Sequence, residues 1–526
     1  MFKKISIVSS FNIENLKNIF KSFNKYLNIK TFSNSLILND LKDNSTADLV
    51  IVIINQKDTN ENFRKFFLNY IKQNSNSIFF LIQIPFVQNQ ISSAITKPDN
   101  LDNFNDYYKK FEKYENFYFI DYNNLANRFN NRVFNHKRWF QTKIPFTINF
   151  ESFLANELYN LIILAEGKRK KAIFFDLDDT IWGGTLAEDG QNKLLVGGIN
   201  SLGEAFLSFQ KTLIEYKKSG IILGVISRND EKKALKAIET IPDMQIRKKD
   251  LAGWKINFEN KSKNIKKLSS ELKINPDSIV FVDNSIYERE EVKQKIPNII
   301  VPDISDGSPY EFSEVLRRVN GLSYIKLNRE DLIRNKSIQK FKKALYSKQK
   351  FNNHNEWLKS LKIKITFEKF NQKNIERIHQ MYQRINQMNL SSRRLTKSQI
   401  LRENSSKSLN LLTISVKDSI VDLGMIALIS YQKRKKEVII KDFLFSCRAL
   451  GRNIESFIIQ YVVYNLKKKG YKKFFFNFKK TNKNKLCFNV LKKIKIEKKG
   501  KSYLYNGDFM NSKNNIFKLV FKNKIF

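Results

Sequence analysis

The chain has 526 residues, 42% hydrophobic and 13% aromatic, which is enough for about three domains with buried cores and excludes a disordered chain. Two cysteines, Cys447 and Cys487, exclude a disulfide framework and point to a reducing compartment, the cytoplasm. Three scattered histidines, His136, His354 and His379, exclude a His-rich zinc site, and the net charge of +43 calls for an acidic partner on top of a lysine-rich coding bias.

The N-terminus is basic and then apolar. Its apolar part is too short for a signal peptide and reads as a first strand over residues 5–9. A helix over 13–26 follows, then a buried strand over 48–54, a helix over 62–73 and a strand over 78–84. A polar helix near 101–113, a strand over 117–120 and a helix over 153–164 complete a doubly wound α/β pattern over residues 1–165. Ser9 and Ser10 end the first strand, but Val133 stands three residues before His136, so no Asp-x-x-His partner is present and no hydrolase is expected there.

Strand and helix alternate again over 166–325, after the basic hinge Gly167-Lys168-Arg169-Lys170. A charged, helical connector is expected over 326–350. The stretch 345–526 changes character: strands near 361–367, 410–416, 421–430 and 436–445 run as a meander, followed by a helix over 454–468 and a strand over 473–478. That is an α+β pattern. No run approaches the roughly 18 apolar residues of a membrane span. Residues 467–501 hold fifteen lysines and one acid, Glu497, without an arginine–aromatic platform, so nucleic acid is not the favoured partner.

The chemistry lies in the middle stretch. An apolar run ends at Asp176-Leu177-Asp178-Asp179-Thr180. Two acids at the carboxyl end of a buried strand are costly unless they hold a metal or react. A second apolar strand ends at Ser227, followed by Arg228-Asn229-Asp230. Lys261 follows, and a further strand ends at Asp283-Asn284. A carboxylate nucleophile, a second carboxylate for proton transfer, a hydroxyl and an ammonium for phosphoryl oxygens, and acids for Mg2+ make a phosphoryl-transfer set. The assignments are Asp176, Asp178, Ser227 and Lys261 as catalytic groups, and Thr180, Asn229 and Lys261 on the phosphate. Asp176, Asp178, Asp283 and Asn284 hold Mg2+.

Asp-x-Asp-x-Thr after a strand opens the haloacid-dehalogenase (HAD) phosphotransferases. The longer stretches Asp176 to Gly184, Glu188-Asp189-Gly190, Ser227 to Asp230, 256–265 and 281–290 resemble one subgroup, subclass IIIC, the FkbH-like proteins. Lys137-Arg138-Trp139 with 143–147 resembles the segment preceding the core in that family. Residues 385–390 with Arg393-Arg394, and 446–452, resemble its C-terminal part. The resemblance implies three domains: an SGNH-type flavodoxin-like part, a Rossmann-like HAD core and an acyl-CoA N-acyltransferase (GNAT) fold. It also implies removal of phosphate from 1,3-bisphosphoglycerate with transfer of a glyceryl unit to an acyl carrier protein. The alternatives are a phosphatase for a small phosphorylated metabolite, and a non-catalytic basic scaffold.

Two positions depart from that family. Ile226 stands where the family carries a cysteine, so no thiol is available there. Asn284 stands where the family has a second aspartate, which lowers the charge offered to Mg2+. In the C-terminal part, Arg448, Gly451 and Arg452 precede a helix N-terminus suited to a pyrophosphate, with Asn453 in place of the usual glycine. Cys447 reads as a small hydrophobe rather than a nucleophile.

Overall fold

The computed structural model describes residues 4–23, 29–33, 41, 47–55, 58–75, 77–84, 111, 114, 116–129, 132–198, 200–304, 308–327, 353–405, 409–419, 422–446, 449–450, 452–481, 484–499, 502–505 and 516–522. These residues form two compact units, Met1–Glu166 with Thr396–Gln399, and Gly167–Leu395 with Ile400–Phe526.

The first unit is built mainly on apolar runs, longest in the third and fourth of its five strands, the mark of strands covered on both faces. They are β1 (Ile5–Ser9), β2 (Ile29–Ser33), β3 (Leu49–Asn55), β4 (Ile78–Ile84) and β5 (Phe117–Ile120). All pair in parallel in the order β2-β1-β3-β4-β5, a doubly wound, flavodoxin-like arrangement. Helices α1 (Glu14–Phe23), α2 (Glu61–Gln73) and α3 (Ile148–Ala165) belong to the same unit. α3 begins earlier than its apolar pattern indicates, because the Thr147 side chain accepts from Phe150 N and caps it there. β2 has too little apolar content to stand out in the sequence. The expected helix near 101–113 and connector over 326–350 lie almost wholly outside the described residues.

The second unit opens with a four-stranded parallel sheet: β6 (Ala172–Phe175), β7 (Ile222–Ser227), β8 (Leu251–Ile256) and β9 (Ile279–Val282), in the order β8-β7-β6-β9. Helices α4 (Ser201–Lys218), α5 (Glu231–Thr240) and α6 (Lys261–Leu272) connect them, and α7 (Ile286–Lys295) follows β9. The four strands are wholly apolar except at Gly224, Ser227, Gly253, Trp254 and Lys255, and β6 and β9 are fully buried. Gly224 is required by packing: a Cβ there would sit 2.7 Å from Phe174 Cδ1. β7 lies on one side of β6 and β9 on the other, so the strand order reverses beside β6. That is where an open α/β sheet forms its ligand crevice.

The rest of the second unit is α+β. β10 (Ile363–Lys369), β11 (Leu409–Lys417), β12 (Asp422–Arg434) and β13 (Glu437–Phe445) form an antiparallel meander. Helix α8 (Ile375–Arg384) follows β10, and α9 (Ile454–Lys468) crosses from β13 to β14 (Lys473–Phe476), which pairs with β13 in parallel. Helix α10 (Lys485–Lys493), β15 (Ile496–Lys499), β16 (Ser502–Tyr505) and β17 (Phe517–Lys522) complete an eight-stranded sheet. A buried Asp442 ties this part together, accepting from Tyr382 Oη at 2.9 Å, Ser391 Oγ at 2.6 Å and Ser430 Oγ at 2.7 Å. Among the described residues no helix is long and apolar enough to cross a membrane.

Candidate active site

Three strand ends and one helix start meet at the carboxyl edge of the central sheet. β6 hands the chain to Asp176, whose N–H donates to Val282 O of β9 at 3.0 Å. Lys261 is the first residue of α6. Its ammonium donates to Asp176 Oδ2 at 2.7 Å and to Asp283 Oδ2 at 2.6 Å. The lysine and Asp283 are essentially inaccessible, with side-chain exposures of 4% and 0%. Removing one partner from such a buried group leaves an uncompensated charge, at about 3–5 kcal/mol.

The electrostatics follow from burial. Desolvation, then repulsion from Asp176, pushes the Asp283 carboxyl up to about 7, and Lys261 with the Ser285 N–H offsets only part of this. Burial alone would lower the Lys261 ammonium. Asp176 and Asp283 outweigh it and raise it.

Asp178 lies on the turn after β6, where Asp179 adopts a left-handed conformation (φ 47°) and Ile181 N donates to Leu177 O at 2.9 Å. Its carboxylate has three donors. Trp182 Nε1 (2.8 Å) and Leu186 N (3.1 Å) bond Oδ1, and Asn229 Nδ2 bonds Oδ2 at 2.9 Å. Burial raises its pKa, while the Trp182 and Leu186 bonds act in the opposite direction. Thr180 is fully buried, and its hydroxyl lies 3.3 Å from both Asn284 Oδ1 and Asn284 N. Ser227 is buried at the end of β7, and its carbonyl accepts from Asn257 N at 3.0 Å. Asp176, Lys261 and Asp283 therefore form one cluster. Asp178 with Asn229, and Thr180 with Asn284, stand in pairs beside it.

The sequence reading assigned no task to three supporting residues. Trp182 is buried and orients Asp178. Arg289, 2% exposed, donates through Nη1 to Asp283 O at 2.9 Å and Asn284 O at 2.8 Å, and through Nη2 to Asp303 Oδ1 at 2.9 Å, so it fixes the loop after β9. Glu291 accepts from Ser262 Oγ at 2.5 Å and Ser262 N at 3.2 Å, bolting the start of α6 to α7. An arginine one turn into a helix that follows an acidic strand end is a legible signal. Trp182 and Glu291 act through contacts that no spacing rule announces.

Among the described residues, no group of three or more His, Cys, Asp or Glu side chains gathers as a ready metal cage. Mg2+ does not need one, since one or two carboxylates suffice when water and phosphate complete the octahedron. Asp176 Oδ1 is buried and has no hydrogen-bond partner. An orphaned carboxylate oxygen beside Asp283 fits a hard cation. Of the four expected ligands, Asp176 keeps one oxygen without a partner, Asp283 bonds Lys261 through Oδ2 and accepts from Ser285 N at 3.0 Å through Oδ1, Asn284 places its amide oxygen 3.3 Å from the Thr180 hydroxyl, and the Asp178 side chain is committed to its three donors.

Only part of the expected cofactor loop of the C-terminal part lies within the described residues. Arg448 and Gly451 lie outside the described residues, as does Cys447. Arg452 is corrected: its guanidinium is fully buried on Asp418, Nη2 to Oδ2 at 3.1 Å, so it does not face an incoming pyrophosphate. Beyond the stretch of β13 that pairs with β14, residues 388–390 lie along β13. Phe445 N donates to Met388 O and Leu390 N to Phe443 O, both at 3.0 Å, and Lys479 N donates to Leu390 O at 2.9 Å.

No family model matches the chain, and no curated protein does. Among solved structures, it is similar to the N-terminal part of BF1531 from Bacteroides fragilis, described as containing a phosphatase domain complexed with Mg. The identity is 23% over 61% of this chain and 94% of that one, with a TM-score of 0.54. This is a likeness of fold. Shorter matches are to the PaiA N-acetyltransferase of Thermoplasma acidophilum in complex with coenzyme A (14% identity, 27% of this chain, 96% of that one, TM-score 0.21) and to a GNAT-family acetyltransferase of Streptococcus pneumoniae (13%, 27%, 96%, 0.20).

Proposed function

We propose that this protein is an Mg2+-dependent phosphatase or phosphotransferase of the haloacid-dehalogenase type, acting on a small phosphorylated substrate. The observation that carries the reading is Lys261 bridging Asp176 and Asp283 while Asp176 Oδ1 has no hydrogen-bond partner, at the carboxyl edge of the sheet. Asp176 attacks phosphorus and forms an aspartyl-phosphate. Asp178, its pKa raised by burial, gives a proton to the leaving group and then takes one from the water that hydrolyses the intermediate. Lys261, Thr180, Ser227 and Asn229 bind the phosphoryl oxygens. Asp176, Asp283 and Asn284 hold Mg2+, which, when bound, offsets the repulsion between carboxylate and phosphate.

Phosphate release from p-nitrophenyl phosphate should be abolished by EDTA and restored by Mg2+. Asn284→Asp should tighten Mg2+ by about tenfold or less, since it adds a charged oxygen. Titration of activity with Mg2+ measures this. An unchanged midpoint would place Asn284 outside the ion's reach.

A finer reading is glyceryl transfer from 1,3-bisphosphoglycerate to an acyl carrier protein, in keeping with the FkbH-like resemblance. What favours it is the basic α9–α10 surface fused to the catalytic sheet, with Lys273 Nζ on Leu450 O at 2.8 Å and Gln387 Nε2 on Asn275 Oδ1 at 2.6 Å. Ile226 in place of a cysteine speaks for the simple phosphatase. Incubation with 1,3-bisphosphoglycerate, Mg2+ and a phosphopantetheinylated carrier, followed by mass spectrometry, decides between them. A glyceryl adduct supports transfer, and phosphate release with an unmodified carrier supports the phosphatase.

A further inference from the structure

One end of the C-terminal sheet concentrates charge that the catalytic site does not use. Where β12 turns into β13, residues 433–437 read Lys-Arg-Lys-Lys-Glu. Where α9 gives way to β14, residues 467–473 read Lys-Lys-Lys-Gly-Tyr-Lys-Lys. The parallel pairing of β13 with β14 sets the two turns side by side. Lys472 N donates to Lys436 O at 2.7 Å, and the Lys433 ammonium lies 5.8 Å from the centre of the Tyr471 ring. The cations at 434–436, 467–469, 472 and 473 are all exposed.

The whole chain has 94 basic residues to 51 acidic ones, whereas these turns hold nine to one. A lysine-rich coding bias raises lysine throughout and does not by itself gather it at one sheet end. The single acid is Glu437, whose carboxylate lies 3.8 Å from Lys473. Such a cluster repels itself. At Lys433, burial and then the charges of Lys469 and Lys369 push the ammonium below its ordinary pKa. An arriving anion relieves that repulsion. The cluster is also separate from the contact with the catalytic sheet. That contact lies near the start of α9, where Lys273 Nζ donates to Leu450 O at 2.8 Å. The basic turns lie at the other end of this fifteen-residue helix, roughly 22 Å away along its axis.

The make-up of the cluster favours one kind of anion. Eight of the nine cations are lysines, point charges that lack the guanidinium fork used to read paired phosphate oxygens or base edges. The half-buried rings of Tyr464 and Tyr471 already carry lysine ammoniums, at 4.6 and 5.8 Å, on faces where bases would stack. A plane of lipid headgroups asks for neither fork nor stacking platform, only for density of charge.

We propose that this basic end of the C-terminal sheet binds the anionic headgroups of a lipid bilayer, peripherally and through charge. The proposal goes beyond the phosphatase reading and does not depend on it.

Sedimentation of the full chain with vesicles tests it. In about 0.1 M salt, vesicles of phosphatidylcholine with about one-third phosphatidylglycerol should bind about 100-fold or more tighter than phosphatidylcholine alone, and about 0.5 M salt should remove most of the difference. Reversing four cations, with Lys435→Glu, Lys436→Glu, Lys468→Glu and Lys469→Glu, should weaken binding by about 100-fold or more. The control reverses one exposed lysine on each of α4 to α7: Lys211→Glu, Lys236→Glu, Lys266→Glu and Lys295→Glu. It changes the net charge equally and should stay within about fivefold of the natural protein, because distant charges are screened. Melting temperatures show that both variants fold. If the reversed protein does not, the milder pair Lys435→Gln with Lys469→Gln should still weaken binding about tenfold. Equal binding to the two kinds of vesicle, or equal losses in the two quadruple variants, overturns the proposal. So does turn-dependent binding of a single-stranded oligonucleotide or of polyaspartate with vesicles left unbound, which would give this end to nucleic acid or to an acidic protein.

Discussion

Asp176→Asn protein should release no phosphate, with turnover falling by about four orders of magnitude or more, as removal of a covalent nucleophile does. The amide has almost the same shape, so the fold is kept and Lys261 still has Asp283 as a partner at 2.6 Å. What is lost is the anionic, nucleophilic oxygen that has no hydrogen-bond partner, Oδ1. Asp178→Asn is the informative companion. Its carboxylate orients on Trp182, Leu186 and Asn229, and an amide can still accept from one side. Proton transfer is lost, and turnover drops by about 10²–10⁴-fold. Because hydrolysis of the intermediate needs this carboxylate to take a proton from water, while a p-nitrophenolate leaving group departs without protonation, the phosphorylated protein should accumulate with p-nitrophenyl phosphate. Acid quench and intact-mass measurement read both results: a phosphoryl adduct in Asp178→Asn and none in Asp176→Asn. Undiminished release by Asp176→Asn would end the aspartyl-phosphate mechanism.

Much of this site was legible because its parts lie where periodicity changes. The apolar runs of β6, β7 and β9 stop abruptly at Asp176, Ser227 and Asp283, and buried parallel strands leave no other place for such residues than the carboxyl edge. Strand limits in the first unit were legible for the same reason: residues 5–9, 78–84 and 117–120 match β1, β4 and β5. The start of α3 at Ile148 was not, because Thr147 caps it before the apolar face begins. The C-terminal loop misled for a different reason. Arg452 before a helix looks like an anion ligand, and sequence alone does not place Asp418 against it. Nor does it show residues 388–390 lying along β13, since that pairing joins stretches more than 50 positions apart.

Mg2+ affinity should depend on pH with its break near 7. Asp283 is the group concerned. Around it stand Asp176 from the β6 end, Lys261 from α6 and the Ser285 N–H from the start of α7, and burial with Asp176 wins, raising its carboxyl to about 7. An acid raised in the folded state favours its protonated form there. Its contribution to stability is full below the ordinary carboxylate range and is lost as pH climbs through about 7. Lys261 is raised from a value already far above this window and stays charged throughout it. The metal-free protein should therefore lose stability between about pH 4 and pH 7, as folded Asp283 is forced to ionise. A divalent cation reverses the sign, because it needs the carboxylate and displaces the proton. Below pH 7 the Mg2+ dissociation constant should rise about tenfold per pH unit, one proton leaving per ion, and above it the constant should level off. Calorimetry in two buffers of different ionisation enthalpy counts that proton directly. Asp283→Asn provides the control: it removes the titrating group, flattens the stability curve over this range and abolishes tight Mg2+ binding. A proton count of zero at pH 6, or a pH-dependent stability that survives Asp283→Asn unchanged, would assign the titration to another group. It would also remove Asp283 from the ligand set.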